Sequence, residues 1–596
     1  MPVYKAPVEH TLFLLEDVLG IADYADLPGF ADTGPEMLRA ILGEGARLCE
    51  ETWAPTNLEG DRTGCRHAPD GSVTTPKSFK AAYRSYCAGG WVGLAVPEAF
   101  GGQGLPSVLN TAMQEYASSA NLALAMYPGL TQGAIAALLV HGSREQKETY
   151  VPRLASGEWS GTMNLTEPHC GTDLGLIRTR ATPNGDGSYA LNGTKIFISS
   201  GEHDLSDNIV HLVLARIDGA PAGTKGISLF VVPKFLVNAD GSPGTRNGVA
   251  CGAIETKMGI HGNATCVMNY DGATGWLVGE ENRGLAAMFV MMNEARLAVG
   301  VQGLAVSEAA CQNAVAYAQE RLQGRALTGP QNPDGPADPI IVHPDVRRTL
   351  MEIKAVNEAA RALILWTSLR SDIAHRSPDP QARQAAHDFM GLLTPVVKGV
   401  FTDYGFANAV AAQQMFGGHG YVEEWGMSQF VRDARIAMIY EGANGVQAMD
   451  LVGRKLARDG GRAVMSFFDE VSRYCREQGE NEAMQPFTAP LAEALGHLQQ
   501  ATMWFMNNAM ARPDNAGAGA TDYMHLFGLV AMGYMWAKMA EAALRRSAEP
   551  TMRRTMEARL ATGHHFMQRI LPETALRLKR IETGADTTMA LAADQF

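Results

Sequence analysis

Leu165-Thr166-Glu167-Pro168-His169-Cys170-Gly171-Thr172-Asp173 stands where the periodicity of the chain changes. Before it, residues 1–160 read as helical. Apolar residues recur at helical spacing through Leu12-Phe13-Leu14-Leu15 to Val18 and through Met37, Leu38, Ile41 and Leu42. Thr33-Gly34-Pro35-Glu36 has the form of a helix start. After it come short β-rich runs: Thr194-Lys195-Ile196-Phe197-Ile198-Ser199-Ser200, then Asn208 to Ala215, Gly226 to Val232, Asn263 to Tyr270 and Gly275 to Val278. Gly, Asn and Asp lie between them, which predicts a small β-barrel or sandwich over 161–283.

From Gly284 the helical pattern returns. The run 285–323 contains no proline, and helical segments are predicted at 344–376, 379–416 and 442–457. Gln331-Asn332-Pro333-Asp334-Gly335-Pro336-Ala337-Asp338-Pro339 reads as a mobile loop. Beyond Gly460-Gly461, segments 491–508, 523–546 and 552–570 make a further helical region. The chain is therefore mainly α with one β domain, divided at 1–160, 161–283, 284–460 and 461–596.

Composition excludes several classes. With 596 residues, 46% hydrophobic and 19% charged, the chain has the makeup of a soluble multidomain protein. A net charge of −13 argues against general affinity for nucleic acid or anionic membranes. Eight cysteines show no CxxC pair and no metal-ligand spacing, so no metal site is expected, and free thiols in a reducing, cytoplasmic setting are. Leu12 to Leu15 is cut short by Glu16 and Asp17, so no secretory signal is read, and no transmembrane helix is expected.

The chemistry is placed at Ile439-Tyr440-Glu441-Gly442. Glu441 follows apolar residues and precedes the turn-forming Gly442, Asn444 and Gly445. A carboxylate so held is expected to be largely desolvated, which raises its pKa toward that of a general base for a carbon-bound proton.

Three stretches in order resemble the acyl-CoA dehydrogenase family: Leu165 to Asp173, Gln414-Met415-Phe416-Gly417-Gly418-His419-Gly420-Tyr421, and Arg432-Asp433-Ala434-Arg435-Ile436 running to Glu441-Gly442. The resemblance covers roughly residues 40–455. It implies that family's fold: a helical N-terminal domain, a small β-barrel and a C-terminal four-helix bundle, here with an extra helical domain. Trp91-Val92-Gly93-Leu94, Lys257 to Thr265 and the added C-terminal helices resemble a long branch of the family. Members of that branch act on 3-methylmercaptopropionyl-CoA in dimethylsulfoniopropionate catabolism or on fatty acyl-CoA in β-oxidation.

The resemblance assigns FAD as cofactor. Met163, Leu165, Thr166, Gly171 and Thr172 match the segment meeting the flavin ring and pyrophosphate, with Thr172 also at the substrate. Phe197-Ile198-Ser199 matches the strand stacking on the isoalloxazine. Arg321, whose guanidinium fork suits two phosphate oxygens, matches a pyrophosphate contact. Gln414, Phe416, Gly417 and Gly418 match the loop holding the adenosine half. In the family this arginine and loop reach the FAD of a neighbouring subunit, implying a homodimer or homotetramer. Ala443 and Gly445 fall beside the flavin, with Ala443 where the family usually has Thr. Asn293 and Arg296 match substrate-CoA contacts and, three apart, are expected on one helix face. Met288, Met291 and Met292 line either an acyl pocket or the core.

The implied reaction is α,β-dehydrogenation: Glu441 removes the α-proton and flavin N5 takes the β-hydride. Other family members carry the base at the position of Ala295, which has no basic group. An electron-transfer flavoprotein is the implied acceptor. A long-chain dehydrogenase, an acyl-CoA oxidase, a DNA-associated flavin protein of the same fold and a silent scaffold are the competing readings.

Overall fold

The computed structural model describes residues 2–596 apart from Asp32 and Met510. Two compact units emerge, 44–298 and 1–43 together with 299–596. The first 43 residues thus group with the C-terminal half of the chain. The reason lies in long-range contacts. The Asn313 side chain bonds both backbone groups of Val3 (2.9 and 2.8 Å), and the Arg559 guanidinium lies 4.1 Å over the Phe13 ring.

In unit 44–298, helices α1 (Lys77–Ala88), α2 (Ser107–Ala120), α3 (Leu122–His141) and α4 (Arg144–Ala155) precede the strands. Asn121 caps α3 by accepting from the Leu124 amide, and a Ser143/Gln146 capping box starts α4. The expectation of no membrane-length apolar helix needs correction. Leu122–His141 and Gly284–Glu320 are both long and apolar enough to span one. Their most apolar windows are 61% and 50% buried within the structure, as core helices are.

The strands of the main sheet are β1 (Trp159–Asn164), β2 (Arg180–Pro183), β3 (Tyr189–Ser199), β4 (Asn208–Ile217), β5 (Ser228–Pro233), β6 (Val249–Ile254) and β7 (Thr265–Val278). Pairings β3–β2–β4–β5–β7 and back to β3 close a ring, with β1 added beside β4 and β6 beside β7. This is the barrel expected from the sequence. Leu191, Ile198, Val213, Phe230, Val232 and Met268 fill it, each such burial contributing ~1.5–3 kcal/mol.

In the other unit, α5 (Gly284–Glu320, which begins in the barrel unit), α6 (Pro344–Arg376) and α7 (Pro380–Met415) follow the predicted segments closely, α8 (Met427–Ala437) was not among them, and α9 (Asn444–Asp450) covers only part of the segment 442–457. Gly303 and Gly405 let α5 and α7 approach backbone to backbone, since a Cβ on either would strike the other helix. The proline-rich loop 331–339 is not left loose. Buried Asp338 accepts from the amides of Ala326 (2.8 Å), Gln331 (3.0 Å) and Asn332 (2.7 Å).

The added region comprises α10 (Arg462–Gln478), α11 (Gln485–Asn508), α12 (Asp514–Arg546), α13 (Arg553–Arg569) and α14 (Glu573–Glu582). Most of α12 from Tyr523 to Ala543 is buried. All eight cysteines are free, five of them buried.

Candidate active site

In the barrel unit, β1 carries Met163 and leads into Leu165 and Thr166. This segment is fixed by Lys195 of β3. A lysine at an inward position of a strand must find partners. Wholly buried Lys195 Nζ donates to the Leu165 carbonyl (3.0 Å) and to Glu167 Oε1 (2.8 Å). The Ile196 amide donates to the Thr166 carbonyl at 2.9 Å. Glu167 also accepts from the Thr179 hydroxyl (2.6 Å) and the amides of Thr179 (3.0 Å) and Arg178 (2.7 Å). Burial pulls the Lys195 ammonium down to about 8, partly opposed by Glu167. Burial works to raise Glu167, but Lys195 and these hydrogen bonds override it and hold the carboxyl below its ordinary value.

Glu167 and Cys170 exchange backbone hydrogen bonds (2.9 and 3.0 Å), and this tight turn brings Gly171 back against Thr166. Gly171 and Thr172 are exposed. Glu167, His169 and Cys170 set ligand atoms within 4.8 Å of one another, yet both Glu167 oxygens are already committed and His169 Nε2 faces the Leu176 carbonyl.

Phe197 is placed by a bulge. Cys266 pairs with Ile198 and Met268 with Lys195, so Ile196 and Phe197 together oppose Val267. Phe197 adopts φ +58°, a left-handed conformation costly for an aromatic residue, and its side is 59% exposed. Ile198 turns into the core and Ser199 is half-buried. A bulge that re-aims a ring outward suits a stacking platform.

Asn293 and Arg296 of α5 do not present themselves alike: Asn293 is exposed, whereas Arg296 is buried with its guanidinium 6.0 Å from the Phe289 ring centre. Met288 and Met291 are wholly buried, and Met291 packs over Gly133 of α3, so these two are core residues. Met292 is half-buried.

In the helical unit, Arg321 follows directly on α5 and is exposed, and no described residue accepts a hydrogen bond from its guanidinium. One turn earlier, Tyr317 stacks on Phe416 (4.2 Å, 22°) and bonds His419 Nδ1 at 2.9 Å. His419 in turn stacks on Trp425 at 4.4 Å. These rings shape the loop holding exposed Gln414, Gly417 and Gly418. Gly417 takes φ +56°, and the space above both glycines is open.

Glu441 lies in the bend between α8 and α9, with φ +55°. The bend is held from several sides. Lys398 Nζ donates to the Gly442 carbonyl (2.7 Å), and Gln447 Nε2 donates to the carbonyls of Glu441 (3.2 Å) and Gly442 (3.1 Å). The Asn444 amide donates to the Met438 carbonyl at 3.1 Å. Tyr440, half-buried overall but with its hydroxyl pKa raised by desolvation, donates to Gln302 of α5. Glu441 is half-buried, beside the partly open Ile439 and Gly442. Ala443 is the N-cap of α9 with no side-chain cap, and Gly445 is exposed.

Sequence reading passed over Lys195 and Lys398, and took Asn444 only as a turn residue. Both lysines carried a signal. Lys195 is in phase with inward Leu191, and Lys398 interrupts the apolar run Val396-Val397 to Val400-Phe401.

Comparison with known proteins is consistent along the whole chain. The acyl-CoA dehydrogenase N-terminal domain matches residues 38–158, its middle domain 162–273 and its C-terminal domain 282–456. An acetyl-CoA dehydrogenase C-terminal-like domain matches 467–592. A 3-methylmercaptopropionyl-CoA dehydrogenase of Ruegeria pomeroyi is 42% identical, covering 98% of this chain and 99% of that one. A broad-specificity linear acyl-CoA dehydrogenase, FadE5 of Mycobacterium tuberculosis, is 35% identical over the full length of both. The solved structure of Caenorhabditis elegans ACDH-11 in complex with C11-CoA shares the fold, with TM-score 0.76 at 18% identity, covering 99% of this chain and 96% of that one. The chain belongs to the acyl-CoA dehydrogenase family and is an FAD-dependent oxidoreductase of acyl-CoA thioesters.

Proposed function

We propose that Glu441 is the base that removes the α-proton of a short linear acyl-CoA, of about the size of 3-methylmercaptopropionyl-CoA. The observation that carries this reading is the left-handed bend at Glu441, held by Lys398, Gln447 and Tyr440. Backbone strain in a non-glycine residue persists where surrounding groups over-determine it, as in catalytic sites. The printed names of the Ruegeria and Mycobacterium relatives, one specific and one broad for linear chains, support the substrate class. On this reading the pathway is dimethylsulfoniopropionate catabolism or fatty acid β-oxidation, in the cytoplasm.

The residues present fit a flavin dinucleotide. Phe197 offers an outward aromatic face, the Thr166–Thr172 turn exposed hydroxyl and amide groups, Arg321 an exposed guanidinium, and Gly417-Gly418 an open backbone. When bound, FAD supplies the acceptor for the β-hydride. The chain's own part is to hold the α-carbon near Glu441, polarise the thioester carbonyl with a backbone N–H, and accept the proton on the Glu441 carboxylate. Asn293 and Arg296 orient the thioester. Arg321 and the Gln414–Gly418 loop serve the cofactor of a second subunit, making the enzyme at least a dimer, and an electron-transfer flavoprotein accepts the electrons.

Anaerobic titration of the yellow protein with an acyl-CoA series, following flavin bleaching, tests the reading. Glu441→Gln is expected to keep FAD and lose turnover by ~10²–10⁴-fold. More than about a tenth of wild-type turnover would overturn the base assignment. Values of kcat/KM are expected to fall from 3-methylmercaptopropionyl- and butanoyl-CoA toward palmitoyl-CoA, in graded steps because one methylene is worth only ~1–3 kcal/mol. A profile rising toward palmitoyl-CoA would make this a long-chain enzyme. Peroxide formed in air at the rate of product would make it an oxidase.

A further inference from the structure

We propose that His525, on helix α12 of the added C-terminal domain, is a positioning residue for the bend that carries Glu441, acting through Asp403 and Asn444. The inference rests on Glu441 being the base.

An unbroken polar chain joins the two. His525 Nε2 donates to Asp403 Oδ2 at 2.8 Å, the carboxylate being able only to accept. The other oxygen, Asp403 Oδ1, accepts from Asn444 Nδ2 at 2.7 Å. Asn444 Oδ1 accepts from Lys398 Nζ at 2.8 Å, and the same ammonium donates to the Gly442 carbonyl at 2.7 Å. Gly442 adjoins Glu441. The Asn444 amide is thereby fixed in one orientation, with its NH2 toward a carboxylate and its oxygen toward an ammonium. Turned over, it would meet like against like at both ends. The second hydrogen of Nδ2 has the Thr402 hydroxyl (2.9 Å) and the Gly399 carbonyl (3.1 Å) within reach as acceptors.

The packing of α12 on α7 sets His525 where the chain needs it. Gly399 has no Cβ, and one built there would collide with the Met524 thioether. Gly528 lies in the same way against Val400. These two contacts hold α12 against α7 at the level of Lys398, and the residue after Met524 then meets Asp403, one turn beyond Gly399. His525 is buried and its ring stands edge-on to Tyr404 at 6.1 Å, which leaves it little freedom to swing away. In this account the region 467–592 supplies an outer support for a strained catalytic bend, in addition to its own core.

The test uses the full-length, flavin-loaded enzyme and four variants: His525→Ala, His525→Gln, Asp403→Asn and Glu441→Gln. Displacement of a reacting group by about an ångström from a distant change costs up to ~10²-fold. His525→Ala and Asp403→Asn are therefore expected to lower kcat by about 10- to 100-fold, with KM for the acyl-CoA, FAD content and melting temperature close to wild type. Exchange of the substrate α-proton into D2O, which reads Glu441 apart from net turnover, is expected to fall by the same factor. His525→Gln retains an N–H donor toward Asp403 and should recover most of the rate. Wild-type kcat in both His525→Ala and Asp403→Asn, beside an inactive Glu441→Gln, overturns this inference alone. Loss of FAD and of melting temperature in step with kcat, with no recovery in His525→Gln, makes the contact merely structural and also overturns it. If His525→Ala does not fold, Asp403→Asn decides by the same criteria. An active Glu441→Gln overturns the base assignment first, and this inference with it.

Discussion

The ammonium of Lys195 and the carboxylate of Glu167 lie 2.8 Å apart with almost no exposure of either side chain, directly behind the turn that carries Thr166. Removing one member of a buried pair strands the other, at a cost of about 3–5 kcal/mol. Lys195→Met is accordingly expected to destabilise the barrel unit by that order and to loosen FAD. A denaturant midpoint and a flavin content both at wild-type values would show the pair to be dispensable.

The same pair sets a pH dependence. Burial lowers the folded-state pKa of Lys195 to about 8, so above that pH the folded chain has released a proton that an unfolded chain, near the ordinary lysine value, still holds. With more protons bound in the unfolded state, the contribution of Lys195 to stability rises from about pH 8 toward the ordinary lysine pKa. Glu167, lowered, contributes above the ordinary carboxylate range, and that part is lost as the pH falls through its folded-state value. Apparent unfolding midpoints of wild type minus Lys195→Met, taken at steps from pH 7 to 10, should therefore widen with pH. A flat difference would contradict the lowered lysine.

Phe197 sits at φ +58°. A side chain in that region costs about 1–2 kcal/mol that glycine does not incur. Phe197→Gly should thus be more stable than Phe197→Ala by roughly that amount once flavin is stripped from both, while both variants hold FAD less tightly than wild type. Equal stabilities would mean that the left-handed backbone relaxes once the ring is gone.

Ala443 stands at the N-cap of α9 in extended geometry (φ −52°, ψ 153°) without a capping side chain. Ser or Thr there is worth ~0.5–2 kcal/mol. Ala443→Ser is expected to raise the thermal midpoint without loss of turnover. A lower midpoint would mean that the position does not tolerate a hydroxyl.

Arg321→Ala is expected to weaken FAD retention, since a charge-assisted hydrogen bond is worth about 1.5–3 kcal/mol, and to shift the assembly toward monomer on sedimentation. Stoichiometric FAD after prolonged dialysis would remove Arg321 from the cofactor site.

The sequence made some of this legible and hid the rest for physical reasons. Glu441 and the Gly417-Gly418 turn were singled out by three motifs in order that resemble the family, since neither stands out from its local sequence alone. Segment 344–376 was read at its observed bounds because its pattern is long and strongly helical. Phe197 was placed on the right strand, but its outward aim follows from a register shift against Cys266 and Met268, residues nearly seventy positions away. The bond of Asp403 to His525 spans 122 positions, and nothing local to either announces it. Residues 1–43 looked like the start of one helical domain, yet partners such as Asn313 and Arg559 draw them elsewhere.

The bulge at Ile196-Phe197 makes position 197 a mount whose direction is fixed by main-chain register and not by the side chain it bears. Aromatic residues of other sizes can then be exchanged there without re-aiming, and the flat face stays outward whether or not anything rests on it. If Phe197 carries the flavin as proposed, ordering of that strand adds little to the cost of binding.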